Sequence, residues 1–250
     1  MSRLTIKILA LLLGFILCSS ALAADEEESD TIIQLTPRLW LSSLNIVNDE
    51  ETSTDQISIP MYGLTFAVNP ADNLNLLLTA FYGEGDGDYF NTFEGSGTTE
   101  VERTDIEFLV RYNFPGKKFS IFFGPRYVDF KEDNIAGSFL AEDDVTIWLA
   151  EVGLGVVADM SNNGRHRLFG NFTVAAAFAE YEYIDTNGFL ESDDDVYPAL
   201  DFNFGYQYII GSYLSFSARY RAFILFDEND IGHGRLNTLH GPELALTFYF

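Results

Sequence analysis

The sequence predicts an all-β chain: a transmembrane antiparallel up-and-down β-barrel of about ten strands, with eight or twelve as alternatives. Three observations predict it. Apolar and polar residues alternate with period two over most of the chain, the signature of strands with one greasy face. Short turn-forming connectors alternate strictly with long acidic ones. The last stretch, Leu244 to Phe250, puts Leu244, Leu246, Phe248 and Phe250 on one face and stops on an aromatic with no polar tail. Such a strand is an aggregation hazard in water, but it is satisfied if lipid covers its apolar face and barrel closure pairs both edges.

The elements follow in order. Arg3 and Lys7 precede an apolar run from Ile8 to Leu17, then Ala21-Leu22-Ala23, which reads as a signal peptide over 1–23. Cys18 also raises lipidation, but Leu17 occupies a position where that signal requires a small residue. Residues 24–30 form an acidic linker, and 31–250 the barrel. The leader takes with it the single Cys, so the mature chain has no disulfide. It also takes two of the 14 basic residues, leaving 12 against 38 acids, a formal charge of −26. That balance excludes nucleic acid as a partner, and 23 Phe with 13 Tyr exclude a disordered chain.

Strands are expected near 32–46, 57–68, 74–84, 100–114, 118–130, 145–159, 166–183, 196–210, 213–226 and 238–250. Each covers the roughly 9–11 residues that a tilted strand needs to cross a bilayer. Asn69–Asn73, Pro115–Lys117, Ser161–Arg165 and Gly211–Ser212 are read as tight turns. The segments 47–56, 85–99, 131–144, 184–195 and 227–236 are read as loops carrying 20 acids against Lys131 and Arg235. Turns on one side and loops on the other give an even-stranded barrel with both termini at the turn end. Tyr82, Tyr127, Trp148, Tyr181, Tyr183 and Tyr197 toward the loops, and Phe114, Phe119, Tyr213 and Phe250 toward the turns, are candidates for two aromatic girdles.

On this register the chain resembles small bacterial outer-membrane barrels of the porin-like or OmpA-like kind, from about residue 31 onward. The resemblance implies residence in the outer membrane with periplasmic termini, and contact with lipid and lipopolysaccharide. It also implies recognition of Tyr249-Phe250 by the barrel-assembly machinery.

The inward parity collects Arg38, Arg103, Asp105, Glu107, Arg111, Arg126, Glu151, Asp201, Arg219, Arg221 and Glu243. Buried charges must pair or be hydrated, so these residues form either a salt-bridged plug or a narrow charged pathway. A barrel of ten strands has little free interior, which favours the plug. No G-x-S-x-G or H-E-x-x-H occurs. Asp86-Gly87-Asp88-Tyr89 is similar to the Asp-x-Asp of omptins, ten-stranded outer-membrane proteases that pair it with an Asp-His couple on a facing loop. Here Asp230 and His233 lie in the fifth loop, and the fourth has no His.

The leading expectation is therefore a non-enzymatic barrel, structural or a narrow cation-preferring channel. An omptin-like surface hydrolase or a surface adhesin is the alternative. No cofactor is expected. Asp86, Asp88, Asp193, Asp194 and Asp195 are candidate oxygen ligands for weakly held divalent cations.

Overall fold

The computed structural model describes residues 32–47, 52–54, 57–91, 95–136, 139–185, 190–226 and 235–250. The expected leader, its cleavage point and the acidic linker lie outside the described residues. Ten long strands make the barrel: β1 (Ile32–Val47), β2 (Ile57–Ala71), β3 (Leu74–Asn91), β4 (Gly95–Asn113) and β5 (Phe119–Ala136). They continue as β6 (Phe139–Asp159), β7 (His166–Asp185), β8 (Leu190–Ile209), β9 (Leu214–Leu225) and β10 (Arg235–Tyr249). Every strand pairs antiparallel with the next, and β10 closes on β1 through Gln34↔Tyr249 to Trp40↔Glu243. A three-residue segment, Thr52–Thr54, adds to the far end of β3.

The turns form where their chemistry demands. Gly116 and Lys117 adopt positive φ of 88° and 53°, and Gly164 adopts 64°. Asn163 Oδ1 accepts from the Arg165 amide at 3.0 Å, an Asx-type turn between β6 and β7. At the seam, Phe250 N donates to Ile33 O and Ile33 N to Phe250 O, so the last residue is held in the ladder.

Most strands are longer than expected, and apart from residues 69–71 of β2 the excess is at the loop end. Most of 85–99, 131–144 and 184–195, expected as loops, is paired strand: Glu84↔Glu102 to Asn91↔Gly95, Lys131↔Asp144 to Ala136↔Phe139, and Asp143↔Tyr183 to Ala141↔Asp185. β6 has 21 residues. At about 3.3 Å per residue and about 40° of tilt, that rises about 50 Å, twice the roughly 25 Å apolar band of a membrane barrel.

Across that rise the two faces exchange character. On β5, Phe119, Ile121, Phe123 and Tyr127 point outward and Ser120 and Arg126 inward. Beyond Tyr127 the outward residues are Asp129, Lys131 and Asp133, and the inward ones are Val128 and Phe130, followed at the tip by Glu132 and Asn134. On β6 the outward row changes from Val156, Leu154, Val152 and Trp148 to Asp144 and Glu142, while the inward row changes from Glu151 to Leu149, Ile147 and Val145. On these strands the barrel is greasy outside and polar inside near the turns; above that it is acidic outside and apolar inside, up to the inward Glu132 and Asp143 at the hairpin tip. A strand in lipid and a strand in water each show the face their solvent requires.

The uniform apolar-out, polar-in expectation therefore holds only for the turn-side half. Tyr197 is buried in the inner apolar cluster and Tyr181 packs against it, so neither belongs to the outer aromatic row. Trp148 and Tyr127 do belong to it, with ring centroids 4.9 Å apart.

Candidate functional site: a layered lumen

The interior is stacked in three storeys. Starting from the loop side, the first is an apolar core of Trp40, Leu44, Ile57, Ile59, Met61, Phe81, Val128, Phe130, Ile147, Phe223, Leu225 and Leu239, all buried. Gly83, Gly85 and Gly87 alternate inward on β3 because Met61, Ile59 and Ile57 of β2 fill the space in front of them. A Cβ at these positions would lie 2.8, 3.0 and 2.8 Å from those side chains. The acids between them, Glu84, Asp86 and Asp88, face outward and are exposed.

The second storey is ionic. Arg126 is its hub, donating through Nη2 to Asp105 and through Nη1 to Asp201 Oδ2 at 2.9 Å, with Glu151 Oε1 at 3.6 Å. Arg103 Nε reaches Asp105 Oδ1 at 2.7 Å. Arg221 Nη2 reaches Asp201 Oδ2 at 2.6 Å and Glu107 Oε1 at 3.8 Å. Aromatics of the core roof this layer: the Arg126 guanidinium sits 4.6 Å from the Phe223 ring centre, and Arg221 sits 4.9 Å from Trp40. Arg103 is 0% exposed and Arg126 1%. A second knot lies beside it, with Glu243 accepting from Arg38 Nη1 and Arg219 Nη2 at 2.7 Å each across the closing seam.

The third storey is a polar mouth at the turn end. Tyr249 turns its hydroxyl inward to Ser215 at 3.0 Å and Gln207 at 3.2 Å, while neighbouring Phe250 is exposed outside. Arg111 lies here, and it is the member of the inward set that stands apart. It donates through Nη2 to Asn171 Oδ1 at 3.2 Å and stacks over Phe122 at 5.1 Å, with no carboxylate in ion-pair contact among the described residues.

Thus ten of the eleven inward charges are brought into two connected networks, and Arg111 stays outside them. Sequence parity could find which charges face inward. It could not find the Arg126 hub, because four strands contribute to it and the pairing distance is 75 residues for Asp201.

The remaining candidates do not assemble into a site. Asp86 and Asp88 stand on the water side of one strand opposite Glu100 and Thr98, and Asp230 and His233 lie outside the described residues. Asp194 points outward, whereas Asp195 caps the Val196 amide at 2.7 Å. The side chain of Asp193 lies outside the description. Among the described residues no three His, Cys, Asp or Glu side chains are grouped to hold a metal ion.

A closed, all-antiparallel ten-stranded barrel with a lipid-type apolar band is the architecture of outer-membrane β-barrels. Comparison with solved structures agrees. The chain is similar to the translocator domain of the autotransporter NalP from Neisseria meningitidis, with 9% identity, 98% of each chain covered and a TM-score of 0.58. It is also similar to the outer-membrane protease OmpT from Escherichia coli, with 10% identity, 91% of this chain and 99% of that chain covered, and a TM-score of 0.57. At such identity the likeness is one of fold. No family model and no curated protein matches the chain.

Proposed function

We propose that the protein is a sealed, non-enzymatic outer-membrane barrel, with its turns and termini in the periplasm and its acid-faced strand extensions outside the cell. The observation that carries this reading is the dryness of the two upper storeys: Arg103, Arg126, Trp40, Ile147 and Leu239 have essentially no solvent contact. A continuous solute pathway would wet them. In this reading ten of the eleven inward charges, all but Arg111, form a structural plug, and Tyr249-Phe250 serves as the assembly signal. The outward acids Glu84, Glu102, Asp129, Asp144 and Glu180 would approach anionic lipopolysaccharide through intervening divalent cations.

Single-channel recording on the refolded mature chain in planar bilayers tests the seal. Silence under applied voltage is the expected result. Steady steps that favour cations would replace it with the narrow-channel reading. A mature chain that stayed water-soluble and showed no heat-modifiable gel mobility would remove the membrane assignment itself.

A further inference from the structure

The turn-end mouth is a cavity of about 230 Å³ with an unusual charge. Arg38, Arg111, Arg219, Lys117 and Lys118 line it, and among the described residues no Asp or Glu does. This is five cationic groups in one pocket of a chain whose formal charge is −24. Glu243 compensates Arg38 and Arg219 from the storey above, using one oxygen for each. Among the described residues no carboxylate is in ion-pair contact with Arg111, and Glu107 attracts it only through space. The Arg111 Nε is buried without a protein hydrogen-bond partner, and so is that of Arg219. A guanidinium with no carboxylate in ion-pair contact, set in a pocket lined by four other cations and no acid among the described residues, is a ready seat for an anion.

The other lining groups fit that ligand. Asn113, Asn171, Gln207, Ser217 and Thr247 make the rest of the lining largely polar. Behind them a narrower chamber of about 60 Å³ ends against Glu107, Asp201 and Arg221 of the ionic storey. The mouth is therefore positive at its rim and walls, and carboxylates enter its lining only in the inner chamber, beside four arginines.

We propose that this mouth binds a small oxyanion bearing carboxylate or phosphate groups, seated on Arg111 and steered by Lys117 and Lys118. A guanidinium presents a planar fork that matches two oxygens of either group, while the exposed lysines add a field without fixed geometry. The site depends on the fold and on the mouth's own residues. It does not depend on the seal above, so conductance and binding fail independently.

The experiment is isothermal titration calorimetry on the full mature chain refolded in a non-ionic detergent at low ionic strength, with inorganic phosphate and citrate as separate probes. Saturable binding at one site by either anion is expected; phosphate alone would identify a phosphoryl ligand and citrate alone a carboxylate. Arg111→Gln should weaken that binding by about tenfold or more, the size of a lost charge-assisted contact. Lys117→Gln with Lys118→Gln, on an exposed turn, should weaken it less and flatten its salt dependence. If Arg111→Gln fails to show heat-modifiable mobility, the lysine pair decides. The proposal is overturned by absence of saturable heat with both anions, or by equal affinity in every folded variant.

Discussion

At the scale of single residues, Arg126 distinguishes burial from mere pairing. Its guanidinium neutralises Asp105 and Asp201 where water does not reach, with Glu151 close by. Removing it with Arg126→Met leaves Asp105 to Arg103 alone, Asp201 to Arg221 alone and Glu151 with no ion-pair partner among the described residues, and breaking a buried pair costs about 3–5 kcal/mol. Urea titration of the heat-modifiable form should show this as a large drop in the unfolding midpoint. Lys131 and Asp144 form an ion pair of similar length, 3.2 Å, but with half-exposed side chains. Lys131→Gln should shift the midpoint by no more than about 1 kcal/mol, the usual size of a surface pair. If both variants moved it equally, the ionic storey would be solvated and not a plug. Parity in the sequence placed Arg126 on its correct face, whereas Lys131 fell in a segment read as a loop; it did not show the worth of the arginine, which depends on the aromatic roof of Phe223 and Trp40 contributed by distant strands.

At the scale of elements, the acidic hairpins were the part that sequence reading misjudged. Asp86-Gly87-Asp88 looks like a loop tip because glycine and acids are both poor strand formers. Yet its alternation had never stopped: the glycines yield room to Met61, Ile59 and Ile57, and the acids face water. The reading failed because it sought a greasy outer face beyond the bilayer, where the solvent has changed. One consequence is testable on the β5–β6 hairpin, above the apolar band. Glu132 and Asp143 are inward-facing register partners there. Burial, with Asp133 adding repulsion against the help of Asn134, pushes the Glu132 carboxyl up from 4.5 to about 7. Burial, with repulsion from Glu132 and Asp144, pushes Asp143 up from 3.8 to about 8.

Raised carboxyl values mean that the folded hairpin holds its protons more tightly than the unfolded chain. The resulting stability is complete below about pH 4 and is lost as pH rises through about 7 and then about 8. Hydrogen exchange of the β5 and β6 amides near Asn134 and Ala141 should therefore quicken between pH 5 and about 8.5, beyond the intrinsic base-catalysed rise. In Glu132→Gln with Asp143→Asn, that excess should disappear. A wild-type protection profile that does not change with pH would show that the two carboxyls are hydrated.

At the scale of the whole molecule, the exchange of faces along β5 and β6 locates the membrane without any bound lipid. The outer surface changes from apolar to acidic just past Tyr127 and Trp148, at the height where the inside changes from charged to apolar. The sequence carried both halves of this pattern, along with the ten-strand topology and the closing β1–β10 seam. What it did not carry was the height of the switch, since that requires knowing which residues of different strands stand level. The chain's two tryptophans report on either side of the wall. Trp148 is 54% exposed on the outer face at the upper edge of the apolar band, and Trp40 is 0% exposed inside the barrel. In bilayers containing lipids brominated at defined depths, quenching of Trp148 should be strongest with the label nearest the headgroups and should fall with deeper labels. Trp40→Phe should leave a fluorescence that is almost wholly quenchable, whereas Trp148→Phe should leave one that is nearly immune. Equal quenching of both tryptophans would place Trp40 against lipid and contradict the register. Deepest quenching of Trp148 at the bilayer centre would mean that the acid-faced extensions are drawn into the membrane, an arrangement that the cost of placing their outward carboxylates in hydrocarbon forbids.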